Sequence, residues 1–303
     1  MEIRYHPVPR TLLEVQAALC SNDDVAVSCV IPIEDVANEF VVAANNEVVR
    51  IRWDGTTDVA ERIETIAKVP KSEPHFKFND AKVDSQGQLW IGYFAADKSK
   101  KEFAVLDKAG GLTSILRNKP IKQHFEGISL ANGLDWNKKQ DKLYLIDSMP
   151  GEVLQFDYNI NTHEVSNKQV LFRFSDLGLA GIPDGMVIDE NDNLWIAIFA
   201  GGQILNVDTR KPNTLIKTID LPTKVTTSVA FGGPNLDELY VTTGSVSPID
   251  GSSSPEGGYI YKITGLGVRA LTLLSYKPVS FNFFVRLVTP SPSISDSSHP
   301  SCQ

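Results

Sequence analysis

The sequence predicts an all-β protein built as a β-propeller, and three features of its 303 residues carry that prediction. Short apolar runs typical of strands recur about every 50 residues, each repeat holds about four strand-like segments, and a helical spacing of apolar residues is confined to residues 12–19. Four strands in a repeat of this length are typical of a propeller blade. Because helices cannot supply a crossover layer, a parallel α/β sheet is excluded.

Five apolar runs define the repeat. They occupy residues 39–42, 88–91, 142–145, 193–196 and 238–241. Their second positions are residues 40, 89, 143, 194 and 239, which gives spacings of 49, 54, 51 and 45 residues. A turn-forming segment precedes each of the last four runs, and a second strand often follows, as at residues 152–157. We therefore expect each run to be one strand of a blade.

Composition and charge exclude several classes of partner. The chain has 37 acidic and 29 basic residues, a formal net charge of -8, and dispersed Lys and Arg residues, so neither nucleic acid nor an anionic membrane surface is expected as a partner. No apolar run approaches the roughly 20 residues of a membrane-spanning helix, and the N-terminus lacks the apolar core of a signal peptide. These observations predict a cytoplasmic protein.

Cysteine, histidine and motif usage argues against other kinds of site. Cys20, Cys29 and Cys302 are too few for a disulfide framework and form no Cys-x-x-Cys pair. The histidines have no i, i+4 spacing that would place two imidazoles on one helix face. The sequence also lacks a Gly-x-Ser-x-Gly elbow, a P-loop, a dinucleotide fingerprint and an EF-hand loop. Serine hydrolases, nucleotide hydrolases and Rossmann oxidoreductases thus have no support.

A polar residue recurs ten to twelve positions before the second position of each later apolar run. These residues are Asn79, Asn132, Asp184 and either Thr227 or Ser228. Because the first strands of all blades line the central channel and run in the same direction, we expect Asn79, Asn132 and Asp184 to face one another at one mouth. Amide and carboxylate oxygens suit calcium, magnesium or manganese, so the sequence predicts a divalent metal site there. A glycine or small residue beside each would let a ligand approach closely.

Five segments carry a more specific pattern, in the same order along the chain. They are residues 78–84 (FNDAKVD), 131–136 (ANGLDW), 182–186 (IPDGM), 227–233 (TSVAFGG) and 263–268 (ITGLGV). Together they resemble the SMP-30/gluconolactonase/regucalcin family over residues 28–270. Residues 228–242 resemble insect members of that family in particular.

The resemblance implies a six-bladed propeller that holds one divalent cation (calcium, zinc, manganese or magnesium) at the channel mouth and hydrolyses sugar lactones or similar cyclic esters. By the matched motifs, Asn132 and Asp184 would be metal ligands, Asp184 would also accept a proton in catalysis, and Asn79 would contact the substrate. Lys77 stands where the lactonases of this family usually have an arginine, and Asp97 stands where a glutamate helps to hold the sugar, so both are expected to bind substrate. A lysine offers a point charge instead of a bidentate fork, which predicts a different substrate choice.

Both ends of the chain depart from the family pattern. Residues 1–30 lack the Gly-Glu-Gly-Pro motif whose glutamate is the third protein ligand, and Glu14 lacks the glycines and proline that would make it a substitute. We expect a divergent segment at residues 1–27, a propeller with an incomplete first blade at 28–270, and a divergent, disordered tail at 271–303. A truncated, alternatively spliced or imperfectly predicted product of an intact enzyme gene is the expected explanation.

Three functional hypotheses follow. The first is a metal-dependent lactonase with a small lactone as partner, in which the cation polarises the lactone carbonyl and Asp184 accepts a proton. The second is a calcium-binding regulatory protein without turnover. The third is a catalytically impaired propeller that acts as an interaction surface, which the missing glutamate favours.

Overall fold

The computed structural model describes residues 2–6, 26–33, 36–57, 59–73, 75–100, 103–116, 119–247, 251 and 253–271. Within these residues the chain forms twenty β-strands, which pair into five antiparallel sheets of four strands each. One turn of 3-10 helix, Phe174–Leu177, is the only helix in this part of the chain. No helix of the described ranges is long and apolar enough to cross a membrane. The all-β prediction is confirmed.

The strands fill the sheets in chain order, apart from β1 (Glu2–His6). The first sheet contains β2 (Val27–Pro32), β3 (Glu39–Ala44), β4 (Glu47–Arg52) and β5 (Glu61–Lys68). The second contains β6 (Phe76–Val83), β7 (Leu89–Ala95), β8 (Gly110–Ile115) and β9 (Lys122–Ile128). The third contains β10 (Ala131–Trp136), β11 (Lys142–Asp147), β12 (Glu152–Asn159) and β13 (Glu164–Arg173). The fourth contains β14 (Ile182–Ile188), β15 (Asn193–Phe199), β16 (Gln203–Asp208) and β17 (Leu215–Asp220).

The fifth sheet joins the two ends of the described chain. It contains β18 (Thr226–Gly232), β19 (Glu238–Thr243) and β20 (Ile260–Thr264), and β1 is its outer strand. Glu2 lies opposite Thr264 and His6 lies opposite Ile260 in this antiparallel pair. The strand β1 precedes the start predicted for the propeller at residue 28, yet its backbone completes the last sheet.

The prediction of six blades with an incomplete first blade is wrong for the described residues. Their twenty strands fill five sheets, and the first sheet has all four of its strands. Only residues 7–26 lie between β1 and β2, which is fewer than the 45 residues of the shortest repeat. The expected number of six blades came from the resemblance to the family. In the structure, the pairing of β1 with β20 completes the fifth blade.

The inner strands are the edge strands β2, β6, β10, β14 and β18, one in each sheet. Neighbouring inner strands contact one another in the order β2, β6, β10, β14 and β18, and no comparable contact joins β18 to β2 among the described residues. The five sheets therefore follow one another around the fold as the blades of a propeller do.

Apolar side chains on both faces of the second strands form the core. In β7 (LWIGYFA) every residue is buried: Leu89, Ile91 and Tyr93 pack toward the first sheet, and Trp90 packs toward the third. Successive side chains point to opposite faces of a sheet, so a strand between two sheets is apolar throughout instead of alternating. Similar clusters join the third sheet to the fourth and the fourth to the fifth. This packing explains why continuous apolar runs mark the repeat.

One buried side chain closes the turn after each of three inner strands. Asp84 Oδ1 accepts a hydrogen bond from Gln88 N at 3.0 Å, and Asp189 Oδ1 accepts one from Asn193 N at 2.9 Å. Asn137 Oδ1 does the same in the third sheet, where it accepts from two backbone N–H groups. Two of the polar turn segments that the sequence placed before the apolar runs, at Asp84 and Asp189, thus share the geometry of an Asx-type turn.

Cys29 belongs to the apolar cluster between the first and second sheets. It is a free thiol, and burial raises its pKa to about 12. Because the thiolate is the reactive and metal-binding form, this cysteine has no role in chemistry at neutral pH. Cys20 and Cys302 lie outside the described residues.

His124 of β9 is held against the core in its neutral form. Its ring stacks on Trp90 with centroids 4.2 Å apart, and its Nε2 lies 2.7 Å from Ser114 Oγ. Ser114 Oγ also accepts a hydrogen bond from Gln88 Nε2. Nδ1 of His124 is buried and has no hydrogen-bond partner among the described residues. Burial lowers the pKa of this histidine from 6.5 to about 4.

We expect His124 to make the folded state sensitive to acid. Between pH 6.5 and about 4 the unfolded chain binds a proton that the folded state rejects, so the free energy of unfolding falls as the pH falls, by up to about 1 kcal/mol per pH unit. A His124→Gln variant lacks this contribution. Urea unfolding at pH 7, 5.5 and 4.5 measures the difference. Parallel losses of stability in the wild type and the variant would contradict the expectation.

Candidate functional site

The residues that the sequence placed at one channel mouth are buried on three adjacent inner strands. Asn79 of β6, Asn132 of β10 and Asp184 of β14 are 3%, 1% and 1% exposed. Asn79 Nδ2 donates a hydrogen bond to Asn132 Oδ1 at 2.8 Å and another to the backbone oxygen of Ala131 at 2.7 Å. The structure therefore brings the two asparagines into direct contact across the second and third sheets.

Ser148 extends this contact to the fourth sheet. Asn132 Nδ2 donates to Ser148 Oγ at 2.5 Å, and the Ser148 hydroxyl donates to the backbone oxygen of Pro183 at 2.6 Å. Pro183 directly precedes Asp184. Hydrogen bonds thus run without interruption from Asn79 to the backbone beside Asp184, and we call this chain of bonds the mouth relay (Asn79, Asn132, Ser148 and Pro183).

A β-bulge sets each of these positions apart from the regular strand. The pairing of each inner strand with the next strand shifts register at one place, and the shifts begin at Ser28, Asn79, Asn132, Asp184 and Thr227. A bulge redirects a side chain and bends the strand locally. The recurrence found in the sequence therefore has a structural cause, which is the same bulge in every sheet.

Glycines beside the site residues allow the inner strands to approach each other. A Cβ added to Gly133 would lie 2.5 Å from Met186 N and 2.9 Å from the backbone oxygen of Asp184. A Cβ added to Gly185 would lie 2.1 Å from Ser228 Oγ. The sequence interpretation gave these glycines a role in ligand approach, whereas the structure uses them for the packing of β10 on β14 and of β14 on β18.

Asp147 supports the entry to β10. Its carboxylate is 4% exposed and accepts hydrogen bonds from Ser129 N at 3.2 Å and Leu130 N at 3.1 Å. Burial raises the pKa of this carboxyl, and the two backbone hydrogen bonds act in the opposite direction. Because Asp147 directly precedes Ser148 in the chain, it ties the backbone before Asn132 to the end of β11.

The two other predicted substrate residues, Lys77 and Asp97, lie on β6 and in the connection after β7. Lys77 is half-buried on β6, opposite Phe94 of β7 and two residues before Asn79. The Asp97 carboxylate accepts hydrogen bonds from Ser99 Oγ at 2.6 Å and Ser99 N at 3.0 Å, and these bonds lower its pKa. Asp97 therefore caps its own turn, in the connection that follows β7.

Sequence reasoning missed two residues of this site. Ser28 donates from its hydroxyl to the backbone oxygen of Asn79 at 2.9 Å, and Ser148 links Asn132 to Pro183. Ser28 lies twelve positions before Phe40, close to the spacing of the other bulges, so the repeat would have identified it. Ser148 follows a second strand and had no counterpart in the repeat, so no signal in the sequence marked it.

The oxygen donors at the mouth fit a hard divalent cation. Asp184 supplies a carboxylate and Asn132 an amide oxygen, and Asn79 Oδ1 accepts no hydrogen bond from the described residues. No group of three His, Cys, Asp or Glu residues that could hold a metal occurs in the described ranges. A set of oxygen ligands with a single carboxylate suits calcium or magnesium, with water in the remaining coordination positions. It suits zinc less well, because zinc prefers nitrogen and sulfur ligands. Glu14 lies outside the described residues.

Comparison with known proteins identifies the family. The family model described as the SMP-30/gluconolactonase/LRE-like region matches residues 9–245. The chain belongs to the SMP-30/gluconolactonase family. Regucalcin of Xenopus laevis is 35% identical over 259 residues, which are 81% of each chain, and regucalcin of Danio rerio is 34% identical over 258 residues, which are 84% of this chain and 82% of the relative.

Two solved structures are similar to this family member. A luciferin-regenerating enzyme is 38% identical, with a TM-score of 0.74, and the match covers 80% of this chain and 79% of the enzyme. A calcium-binding protein, regucalcin, from Agrobacterium tumefaciens is 22% identical, with a TM-score of 0.66 and coverage of 80% and 77%. The second match supports the fold alone. Membership of the SMP-30/gluconolactonase family, predicted from five sequence segments, is thus confirmed.

Proposed function

We propose that this family member is a divalent-cation-dependent lactonase that acts on sugar lactones at the channel mouth. The observation that supports the proposal is the mouth relay, which links two buried amide side chains to the backbone directly before the buried Asp184. Three adjacent bulged strands present these groups together. The small lactone is the proposed partner, in preference to nucleic acid or membrane, and the cytoplasm is the proposed location.

The residues of the site divide into two roles in this proposal. Asn132 and Asp184 would hold the cation, which when bound polarises the lactone carbonyl and acidifies water. Asp184 accepts the proton of the attacking water and returns it to the ring oxygen when the ester C–O bond breaks, so that one water molecule is consumed for each hydroxy acid formed. Asn79 orients the substrate through Oδ1, while Lys77 and Asp97 bind polar groups of the sugar.

We expect Asp184→Asn to lower lactone hydrolysis by at least about 100-fold, because the variant keeps the shape of the side chain and loses its charge and its proton acceptor. The assay follows acid release from δ-gluconolactone with calcium, manganese, magnesium or zinc present. Asp157→Asn is the matched control, since this carboxylate is 44% exposed on β12 and contacts Lys142. Hydrolysis by Asp184→Asn at the wild-type rate would overturn the proposal.

A second candidate function is calcium binding without turnover. Its support is the donor set, in which hard oxygens predominate, and the similarity to the regucalcins, one of which is described as a calcium-binding protein. A rise in melting temperature with calcium, lost in Asp184→Asn and accompanied by no lactone hydrolysis, would favour it. A folded protein with neither response would favour a catalytically impaired propeller.

A further inference from the structure

Ser148 is buried at the end of β11 and contacts both halves of the candidate cation site. It is 1% exposed. Its Oγ accepts from Asn132 Nδ2 at 2.5 Å, and its hydroxyl donates to the backbone oxygen of Pro183 at 2.6 Å. One side chain therefore connects the asparagine of the third sheet to the residue that precedes Asp184 in the fourth.

The direction of every bond in the mouth relay follows from one backbone group. The backbone oxygen of Ala131 can only accept, so Asn79 turns its Nδ2 toward it. The same Nδ2 also donates to Asn132, which must present Oδ1 and turn its own Nδ2 away. That Nδ2 meets Ser148 Oγ, whose single proton is then directed to the Pro183 oxygen. A reversed Asn132 amide would place two NH2 groups against each other.

We infer that Ser148 is a positioning residue that ties the Asn132 amide to the strand of Asp184, and thereby sets the affinity of the site for a divalent cation. The inference rests on the proposed function, because it takes a cation as the ligand of Asn132 and Asp184. Without the hydroxyl, the bond from Asn132 Nδ2 to Ser148 and the bond from Ser148 to the Pro183 oxygen are both lost. The Asn132 side chain is then no longer tied through Ser148 to the strand of Asp184, and the placement of its Oδ1 relative to Asp184 becomes less precise.

The first test compares calcium affinities by isothermal titration calorimetry. We expect Ser148→Ala to bind calcium at least about tenfold more weakly than the wild type, as is typical when a group that orients a metal ligand is removed. Ser114→Ala is the matched control: Ser114 is also 1% exposed and hydrogen-bonded, but it contacts His124 away from the mouth relay. Wild-type affinity in a folded Ser148→Ala variant would overturn the inference.

The second test separates positioning from general damage. In an Asn132→Asp background the side chain has no Nδ2 to donate to Ser148, so the penalty of Ser148→Ala on calcium affinity should shrink. An equal penalty in both backgrounds would overturn the positioning role. If Ser148→Ala does not fold, Ser148→Cys fills nearly the same volume with a poor hydrogen-bonding group, and the same tenfold loss is expected of it.

A third measurement keeps this inference distinguishable from the proposed function. If the wild type binds no divalent cation, the proposed function fails, and the relay is then judged on melting temperatures alone. Asn132→Ala and Ser148→Ala break one shared bond, so the double variant should lose less than the sum of the two single losses. Strict additivity would show that Ser148 does not hold Asn132 and would overturn the inference.

Discussion

Gly133→Ala is expected to lower the free energy of unfolding by about 3 kcal/mol. This value is at the upper end of the usual cost of inserting one carbon group into a packed core. The added methyl group would lie 2.5 Å from Met186 N and 2.9 Å from the backbone oxygen of Asp184. Both are backbone atoms of β14, so no side-chain rotation relieves the contact. Strands β10 and β14 must move apart, and the mouth relay between Asn132 and Pro183 must lengthen with them.

Urea unfolding of Gly133→Ala and Gly232→Ala checks this expectation. Gly232 is the matched control, since its added Cβ would meet only the ring of Tyr240, at 3.0 and 3.2 Å. A half-buried ring can shift by a few tenths of an ångström, so we expect a loss below about 1 kcal/mol there. Equal losses in the two variants would show that the approach of β10 to β14 is not a constraint on the fold.

Asp84→Ala is expected to be the most destabilising single substitution of a polar residue in the second sheet, with a loss of at least about 4 kcal/mol. Asp84 is fully buried. Its Oδ1 closes the turn before β7, and its Oδ2 accepts from Trp90 Nε1 at 3.0 Å and Tyr158 OH at 2.9 Å. His163 Nδ1 lies 3.2 Å from the same oxygen. Removing the carboxylate leaves several buried donors without an acceptor, and each costs about 1 to 3 kcal/mol.

Asp189→Ala is the matched control for this prediction. Asp189 is equally buried, closes the equivalent turn of the fourth sheet and accepts from Trp195 Nε1 at 3.0 Å. It lacks the bonds that Asp84 makes to Tyr158 and His163 of the third sheet. We therefore expect Asp84→Ala to lose about 2 kcal/mol more than Asp189→Ala in urea unfolding. Equal losses would mean that the bonds between the second and third sheets add no stability.

Local pattern was enough to predict the strands. The second positions of the five apolar runs, at residues 40, 89, 143, 194 and 239, all lie in the second strands of the five sheets. These strands are buried on both faces, so consecutive residues along them are apolar and form a continuous apolar run in the sequence. The Asx-type turns at Asp84 and Asp189 were likewise evident, because their hydrogen bonds are made within five residues.

The candidate site was only partly visible in the sequence. Asn79 and Asn132 recur in register, and the structure brings them into contact. Ser148 could not be found this way, because its role depends on where the turn after β11 meets the carbonyl of Pro183 in another sheet. The loop that contains Asp97 matched the family pattern poorly, and in the structure Asp97 Oδ1 accepts a hydrogen bond from Ser99 Oγ. Contacts between loops and neighbouring sheets do not recur at a fixed spacing along the chain, so a repeat in the sequence does not reveal them.

The sequence by itself determined the all-β class, the repeat, the family and the residues placed at the bulges. Each of these can be inferred from short sequence motifs or from the spacing between them. Only the tertiary structure decided that β1 completes the fifth sheet and that the described strands make five blades. Such pairing joins Glu2 to Thr264, and it depends on which strand edge is left unpaired after the remaining sheets have formed. Only the tertiary structure, too, connected Asn132 through Ser148 to the strand of Asp184, since hydrogen bonds between sheets form where packing brings donors and acceptors together.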